Sequence, residues 1–158
     1  MGRESANYIV IQSSAFFLQT AANSILDTQQ SLFCMSFRYE RAPDVSELVS
    51  FIIDRLNFTH IPKHRVYCYR SHGSKASNVI ARIHSLPKIW QHALSEPAYY
   101  AIEVLSEQYD SLPAGEKEKT LIHELLHIPN SFGGGFRHHK DWVTRKRVEI
   151  LYRQLREC

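Results

Sequence analysis

The segment 121–135 constrains the fold more than any other part of this sequence. Apolar residues surround His123 and His127 there, which predicts a helix buried on more than one side. Pro129 cannot continue a helix, because it lacks a backbone N–H and its ring clashes with the preceding turn. Consecutive glycines at 133–135 then allow the chain to reverse sharply. We therefore predict a central helix that ends just before the proline, after which the chain turns back.

The spacing of the two histidines predicts a metal site. Residues four apart share one face of a helix, so His123 and His127 can direct both imidazoles at one ion. Zinc accepts neutral imidazole nitrogens and prefers tetrahedral geometry, which makes Zn²⁺ the expected cofactor. Glu124 lies where it can reach a metal-bound water rather than the metal itself. In this HExxH pattern, zinc lowers the pKa of the water and the glutamate accepts its proton as the water attacks a carbonyl.

The third metal ligand has to come from outside this helix. A catalytic zinc usually has three protein ligands and one open position. His138 and His139 follow the glycine turn, and Glu149 lies farther along the last predicted helix. Apolar residues are spread around that helix, so its periodicity does not choose among the three candidates. The metzincin pattern is excluded, because it requires a histidine where this chain has Gly133.

The rest of the chain predicts a small α+β domain, with a helix packed on a short three-stranded sheet. Apolar residues recur with helical spacing over 45–56, and Asp44 is the expected N-cap. The HExxH helix should begin near Pro113, and a closing helix should span about 140–156. Aromatic and β-branched residues predict strands at 65–70, 79–83 and 99–105. The last of these is either the edge strand that binds an extended substrate or an interior strand.

Length and composition favour an ordinary domain in the cytoplasm. The 158 residues are enough for one domain with its own core. Residues 1–35 have no helical or strand period, so we expect a variable or poorly ordered N-terminal extension there. No apolar run approaches the roughly 20 residues of a membrane span. The three cysteines are far apart and form no CxxC motif, which indicates reduced thiols.

Two motifs carry a resemblance to a known family. The run 123–129 reads HELLHIP, and the run 132–139 reads FGGGFRHH. Both resemble the metallopeptidase family of phages and archaea, an HExxH zincin family that is SprT-like in motif layout. Upstream segments at 41–44, 70–75 and 81–87 are also similar, so the resemblance covers roughly residues 37–156.

The resemblance implies a zincin-like metallopeptidase domain at 36–158. Such a domain hydrolyses the peptide bonds of a peptide or protein substrate by glutamate-assisted attack of a zinc-bound water. The family places its later histidine after an Arg-x pair, which implies His139 as the third ligand beside His123 and His127. A SprT-like His-x-x-x-Trp pattern would instead take His138, with Trp142.

Two other functions remain open at the level of sequence. One is a nucleic-acid-associated module with a structural zinc, suggested by the basic run 145–147 and by Lys75 and Arg82. SprT-like enzymes are linked to DNA-bound protein substrates, so this function can coexist with the first as a DNA-dependent protease. The other is a non-peptidase, metal-dependent amidohydrolase of deformylase type, in which Cys68 would be the upstream ligand.

Overall fold

Short runs of aromatic and β-branched residues form a four-stranded mixed sheet in the computed structural model, which describes residues 37–157. The predicted N-terminal extension, residues 1–35, lies outside the described residues. The strands are β1 (Arg38–Arg41), β2 (Val66–His72), β3 (Ala81–Ser85) and β4 (Tyr100–Leu105). Their order is β1-β2-β4-β3, in which β2 and β4 are parallel and the two outer strands are antiparallel to their neighbours. The α+β class is confirmed, with one strand more than predicted.

The additional strand, β1, has no apolar alternation from which it could be predicted. Its four residues read RYER, and all of them are exposed. The strand is held by pairing with β2 and by a side-chain contact, in which Glu40 Oε1 lies 2.8 Å from His72 Nε2. Sheet pairing, which is a long-range interaction, therefore determines this element.

Five α-helices accompany the sheet among residues 37–157. They are α1 (Pro43–Arg55), α2 (Lys88–Leu94), α3 (Ser106–Tyr109), α4 (Ala114–Leu126) and α5 (Arg145–Arg156). The helices predicted around 45–56 and after Pro113 are present as α1 and α4. The closing helix begins at Arg145 rather than near 140, because Thr144 caps it by accepting a hydrogen bond from the backbone N–H of Arg147. No helix of this region is long and apolar enough to cross a membrane.

Asp44 does not cap α1, so that prediction is wrong. The N-cap position is Ala42, without a side-chain hydrogen bond. The Asp44 carboxylate instead accepts two hydrogen bonds from the Arg70 guanidinium, at 3.2 and 2.8 Å. Arg70 also donates to Asp110 at 3.1 Å, so one side chain on β2 joins the start of α1 to the residue after α3.

The core lies between the sheet and helices α1 and α4. Ile102 and Val104 of β4 are fully buried there, together with Ile52 of α1 and Leu125 of α4. The segment predicted at 99–105 is thus a central strand, flanked by β2 and β3. Of the two interpretations of that segment the interior strand is correct, and the edge strand on this side of the sheet is β3.

Candidate metal centre

Helix α4 determines where the first two histidines lie. It buries Leu121, Ile122 and Leu125 completely, so its rotation about its own axis is set by the core. His123 lies in its last turn and His127 is its C-cap residue. The two rings therefore lie side by side, with centroids 5.1 Å apart.

The chain reverses immediately after the helix. Pro129 prevents a further helical turn, and the backbone N–H of Phe132 donates to the Pro129 carbonyl at 2.9 Å. Gly134 has a φ of +87°, and a Cβ added there would lie 2.7 Å from the Leu86 carbonyl oxygen. Glycine is therefore required at this point both by the backbone conformation and by the close approach of another segment.

Side chains from the sheet hold the glycine turn. The Tyr100 hydroxyl accepts a hydrogen bond from the Gly134 N–H at 3.0 Å and donates to the Gly135 carbonyl at 2.8 Å. Ser85 donates to the Gly134 carbonyl at 2.8 Å. Tyr100 is only 1% exposed, so its hydroxyl depends on these two partners. The turn is thereby attached to β3 and β4.

This turn brings His139 to the two helix histidines. Its Nε2 lies 3.2 Å from Nε2 of His123, and its ring centroid lies 4.5 Å from that of His127. One potential ligand atom from each of the three residues lies within 4.8 Å of the others. Zinc–nitrogen bonds of 2.0–2.1 Å in tetrahedral geometry imply ligand atoms about 3.3 Å apart, so the His123–His139 distance fits a shared ion.

The backbone of Arg137 fixes the orientation of His127. Nδ1 of His127 lies 2.8 Å from the Arg137 carbonyl, which can only accept, so this nitrogen carries the proton. A second hydrogen bond runs from the Arg137 N–H to the His127 carbonyl, also at 2.8 Å. Nε2 of the neutral ring is left with its lone pair available for a metal, as in many histidine metal sites.

The surroundings of His123 and His127 favour the neutral form of these two side chains. Burial, followed by the proximity of His127 and His139, lowers the pKa of His123 to about 4. Burial also lowers the pKa of His127. Because a metal binds only the neutral imidazole, these surroundings favour ligation near neutral pH.

Glu124 lies beside the triad and is 7% exposed. Burial raises the pKa of its carboxyl group to about 7, and a hydrogen bond from the backbone of Ile83 partly opposes this shift. Together with His123 and His139, Glu124 lines a cleft of about 660 Å³. The cleft lies between α4, α5 and the start of β3, where it can admit a substrate to the three histidines.

The alternative ligands are placed differently. The Glu149 carboxylate lines the cleft but lies 2.9 Å from the Lys119 ammonium, outside the histidine triad. His138 is exposed and is not part of the triad. Cys68 is 4% exposed in the core, and burial raises the pKa of its thiol to about 12. A deformylase-type site requires a cysteine ligand, and Cys68 does not lie at the candidate metal centre.

The contributions of Tyr100, Ser85 and the Arg137 carbonyl could not be predicted from the sequence. Tyr100 belongs to a predicted strand, but no local pattern indicates that its hydroxyl reaches a turn far along the chain. A backbone carbonyl has no residue signature at all. These contacts follow from how the sheet and the glycine turn pack together.

Three histidines held by a helix and a returning loop, beside a buried carboxylate, form the arrangement of a metallohydrolase. The chain belongs to the family described as "Putative phage metallopeptidase", which matches residues 37–154. No curated protein and no solved structure matches the chain significantly. The family implies a metal cofactor and a peptidase-type hydrolase that acts on peptides or proteins, and the histidine triad is a set of residues that can hold such a metal.

Proposed function

We propose that this protein is a zinc-dependent metallopeptidase of the HExxH type that acts in the cytoplasm. The observation that carries the proposal is the convergence of His123, His127 and His139, with ligand atoms within 4.8 Å of one another. Three imidazoles with an open side toward a cleft are a typical donor set for catalytic zinc. The cytoplasmic location is supported by the widely spaced cysteines, which are typical of reduced thiols.

Each residue at the centre has its own role in this proposal. His123, His127 and His139 would hold the zinc ion through ring nitrogens. The Arg137 carbonyl keeps His127 in the tautomer that can ligate. A bound zinc ion supplies the Lewis acidity that activates water and polarises a peptide carbonyl. Glu124 accepts a proton from the attacking water and returns it to the amine nitrogen that leaves.

The sheet edge beside the cleft offers a site for an extended peptide. Among residues 37–157, β3 pairs with β4 on one side and with no strand on the other. Ala81, the first residue of β3, and Ile80, which precedes it, line the cleft together with Glu124. Extended peptides bind such edges through main-chain hydrogen bonds. The substrate is therefore proposed to lie along β3, beside the histidine triad.

Metal content and cleavage test this proposal together. Protein purified without added metal is expected to contain about one equivalent of zinc per chain, measured by inductively coupled plasma mass spectrometry. His139→Ala should lower the zinc content, whereas the matched variant His138→Ala should keep it. Glu124→Gln should keep zinc but reduce cleavage of a mixed peptide pool by at least about 100-fold, because the general base is lost.

Three results would contradict the proposal. Wild-type protein without any bound metal would exclude the zinc site. Equal loss of zinc in His138→Ala and His139→Ala would remove the assignment of the third ligand. Cleavage that is unaffected by Glu124→Gln, measured as new peptide amino termini, would remove the role of the glutamate.

A further inference from the structure

A group of basic side chains lies beside the candidate metal centre and has no role in the proposed reaction. We define the basic rim as Arg137, Lys140, Arg145, Lys146 and Arg147. It runs from Arg137, two residues before His139, to the first turn of α5. Arg145 itself lines the same cleft as His139 and Glu124. The rim is therefore continuous with the site where a substrate would lie.

Two of the five cations of the rim lie against one indole ring. The guanidinium carbon of Arg137 lies 4.9 Å from the centre of the Trp142 ring, and that of Arg147 lies 5.7 Å from it. Trp142 is still 45% exposed, so this arrangement faces solvent. A planar aromatic platform restrains the two guanidinium groups at a short distance from each other.

Most of the rim has no carboxylate partner within residues 37–157. No ion pair with an acidic side chain is present for Lys140, Arg145, Lys146 or Arg147 in this region. The Arg137 side chain donates only to the amide oxygen of Asn130 there. Some cations elsewhere are paired with carboxylates, as Arg70 is with Asp44 and Lys119 is with Glu149. Asp141 is the one acidic residue in the segment 137–147, so the five cations of the rim leave an excess of positive charge there.

The position of three of these cations does not stabilise helix α5. Arg145, Lys146 and Arg147 are the first three residues of α5, and the first turn of this helix contains no acidic residue. Cations at the N-terminus of a helix are repelled by its dipole. The helix would be more stable with acidic residues at these positions, so the arrangement favours binding of an external anion.

We propose that the basic rim binds acidic side chains of a polypeptide substrate and so selects acidic segments for cleavage. This inference rests on the proposed peptidase function, because it specifies the class of substrate for that cleft. Carboxylates of aspartate and glutamate form paired hydrogen bonds with guanidinium groups. A segment that extends from β3 across the cleft would bring side chains to Arg145, the residue of the rim that lines the cleft.

Nucleic acid fits the rim less well than an acidic peptide. Surfaces that bind single strands combine basic grooves with successive open aromatic rings on which bases stack. The rim has one indole, Trp142, and two guanidinium groups already contact it. The overall charge of +3 is also modest for a nucleic-acid-binding domain.

The experiment compares two labelled peptides of twelve residues, one rich in aspartate and glutamate and one with asparagine and glutamine in their place. Binding is measured by fluorescence anisotropy to the full chain carrying Glu124→Gln, which prevents cleavage. The acidic peptide should bind more tightly, with an affinity that falls as salt is added. Arg145→Glu with Arg147→Glu should weaken its binding by at least about fivefold, since two exposed ion pairs are lost.

A matched control separates local contacts from total charge. Lys88→Glu with Arg153→Glu changes the net charge by the same amount, and both residues are exposed and outside the rim. This variant should bind the acidic peptide nearly as well as the parent. The melting temperature of the rim variant should not fall, because acidic residues suit the first turn of α5. Arg145→Gln with Arg147→Gln provides a second variant if the charge reversal misfolds.

The outcomes distinguish this inference from the proposed function. Equal binding of both peptides, or equal loss in the rim and control variants, would overturn the inference while the zinc content remains a separate test. Tighter binding of a single-stranded oligonucleotide than of the acidic peptide, lost in the rim variant, would also overturn it and assign the rim to nucleic acid. Zinc-free wild-type protein would overturn the proposed function even if the acidic peptide binds at the rim.

Discussion

Arg70 shows how one side chain can join three elements of this small domain. Its guanidinium lies within 3.2 Å of carboxylate oxygens of Asp44 and Asp110. The Arg70 side chain is only 16% exposed, whereas Asp44 is 62% exposed. The hydrogen bonds from Arg70 lower the pKa of Asp44, so the charged form of this carboxyl is favoured in the folded state. The pair therefore contributes more to stability at neutral pH than in acid.

Asp44→Asn is expected to destabilise the protein in a pH-dependent way. A carboxyl group whose pKa is lowered by folding contributes fully above its unfolded pKa, about 3.9, and loses the contribution as the pH falls through the folded value. We expect the free energy of unfolding to fall by up to about 1 kcal/mol at pH 7, because the partly exposed pair is screened by water. The difference from wild type should narrow below about pH 4.

Urea denaturation at pH 7, pH 4 and pH 3 measures this difference. Asp54→Asn is the matched control, because Asp54 also lies on α1 and pairs with the exposed Lys63 at 2.8 Å. Asp54→Asn should lower the free energy of unfolding by less than Asp44→Asn does at pH 7. An Asp44→Asn effect that does not change with pH would contradict the role given to this ion pair.

At the scale of elements, the glycine turn and the sheet together determine the geometry of the site. The turn supplies the Arg137 carbonyl to His127 and delivers His139, while Tyr100 and Ser85 hold the turn in place. Because His139 lies on a loop, its position depends on the hydrogen bonds that hold the preceding turn. In the proposed metal centre, the strands therefore position a ligand without providing one.

Tyr100→Phe is expected to weaken metal binding without unfolding the protein. The substitution keeps the aromatic ring in the core but removes both hydrogen bonds to the turn. The turn would then hold His139 and the Arg137 carbonyl less firmly, so we expect the affinity for zinc to fall by about tenfold, the lower end of what loss of a direct partner of a ligand costs. Competition between the protein and a chromogenic chelator measures the affinity for zinc, and the visible spectrum of the cobalt form reports the ligand geometry.

Tyr99→Phe is the control, since Tyr99 precedes Tyr100 and its hydroxyl donates to the exposed Glu96, at 3.4 Å, rather than to the turn. It should leave the affinity unchanged. If Tyr100→Phe bound zinc as tightly as wild type, with the same cobalt spectrum, the turn would hold its geometry without the sheet.

At the scale of the whole molecule, metal binding and folding should be coupled. His123 and His127 belong to α4 and its C-cap, and His139 belongs to the segment ahead of α5. An ion at the triad would therefore connect two parts of the chain that few hydrogen bonds join within residues 37–157, such as the pair between His127 and Arg137. A ligand that binds only the folded state stabilises it by about 2.7 kcal/mol at 100 times its dissociation constant. Removal of zinc with a chelator should therefore lower the melting temperature by several degrees, roughly 5–15 °C.

Differential scanning calorimetry with and without chelator measures this coupling. His123→Ala combined with His127→Ala serves as the control, because its melting temperature should not respond to the chelator. A wild-type melting temperature that is equally insensitive would show that the fold does not depend on the ion, and would count against occupancy of the triad.

The sequence by itself determined α1, α4 and the central motif, because their signals are local. The helical spacing of 45–56 predicts α1, and the apolar positions around His123 and His127 predict α4 as a buried helix. Pro129 ends that helix through its own covalent structure. Each of these inferences needs only residues a few positions apart, which is the range over which backbone geometry acts.

Only the tertiary structure decided how the site is completed, since that depends on contacts between distant segments. It placed His139, rather than His138 or Glu149, beside the two helix histidines. It made β4 a central strand and β3 the edge, and it added β1, whose exposed residues carry no pattern. The physical reason is that helical period and proline chemistry are properties of neighbouring residues. The position of a returning loop instead depends on the side chains that hold it, here Tyr100 and Ser85 from the sheet.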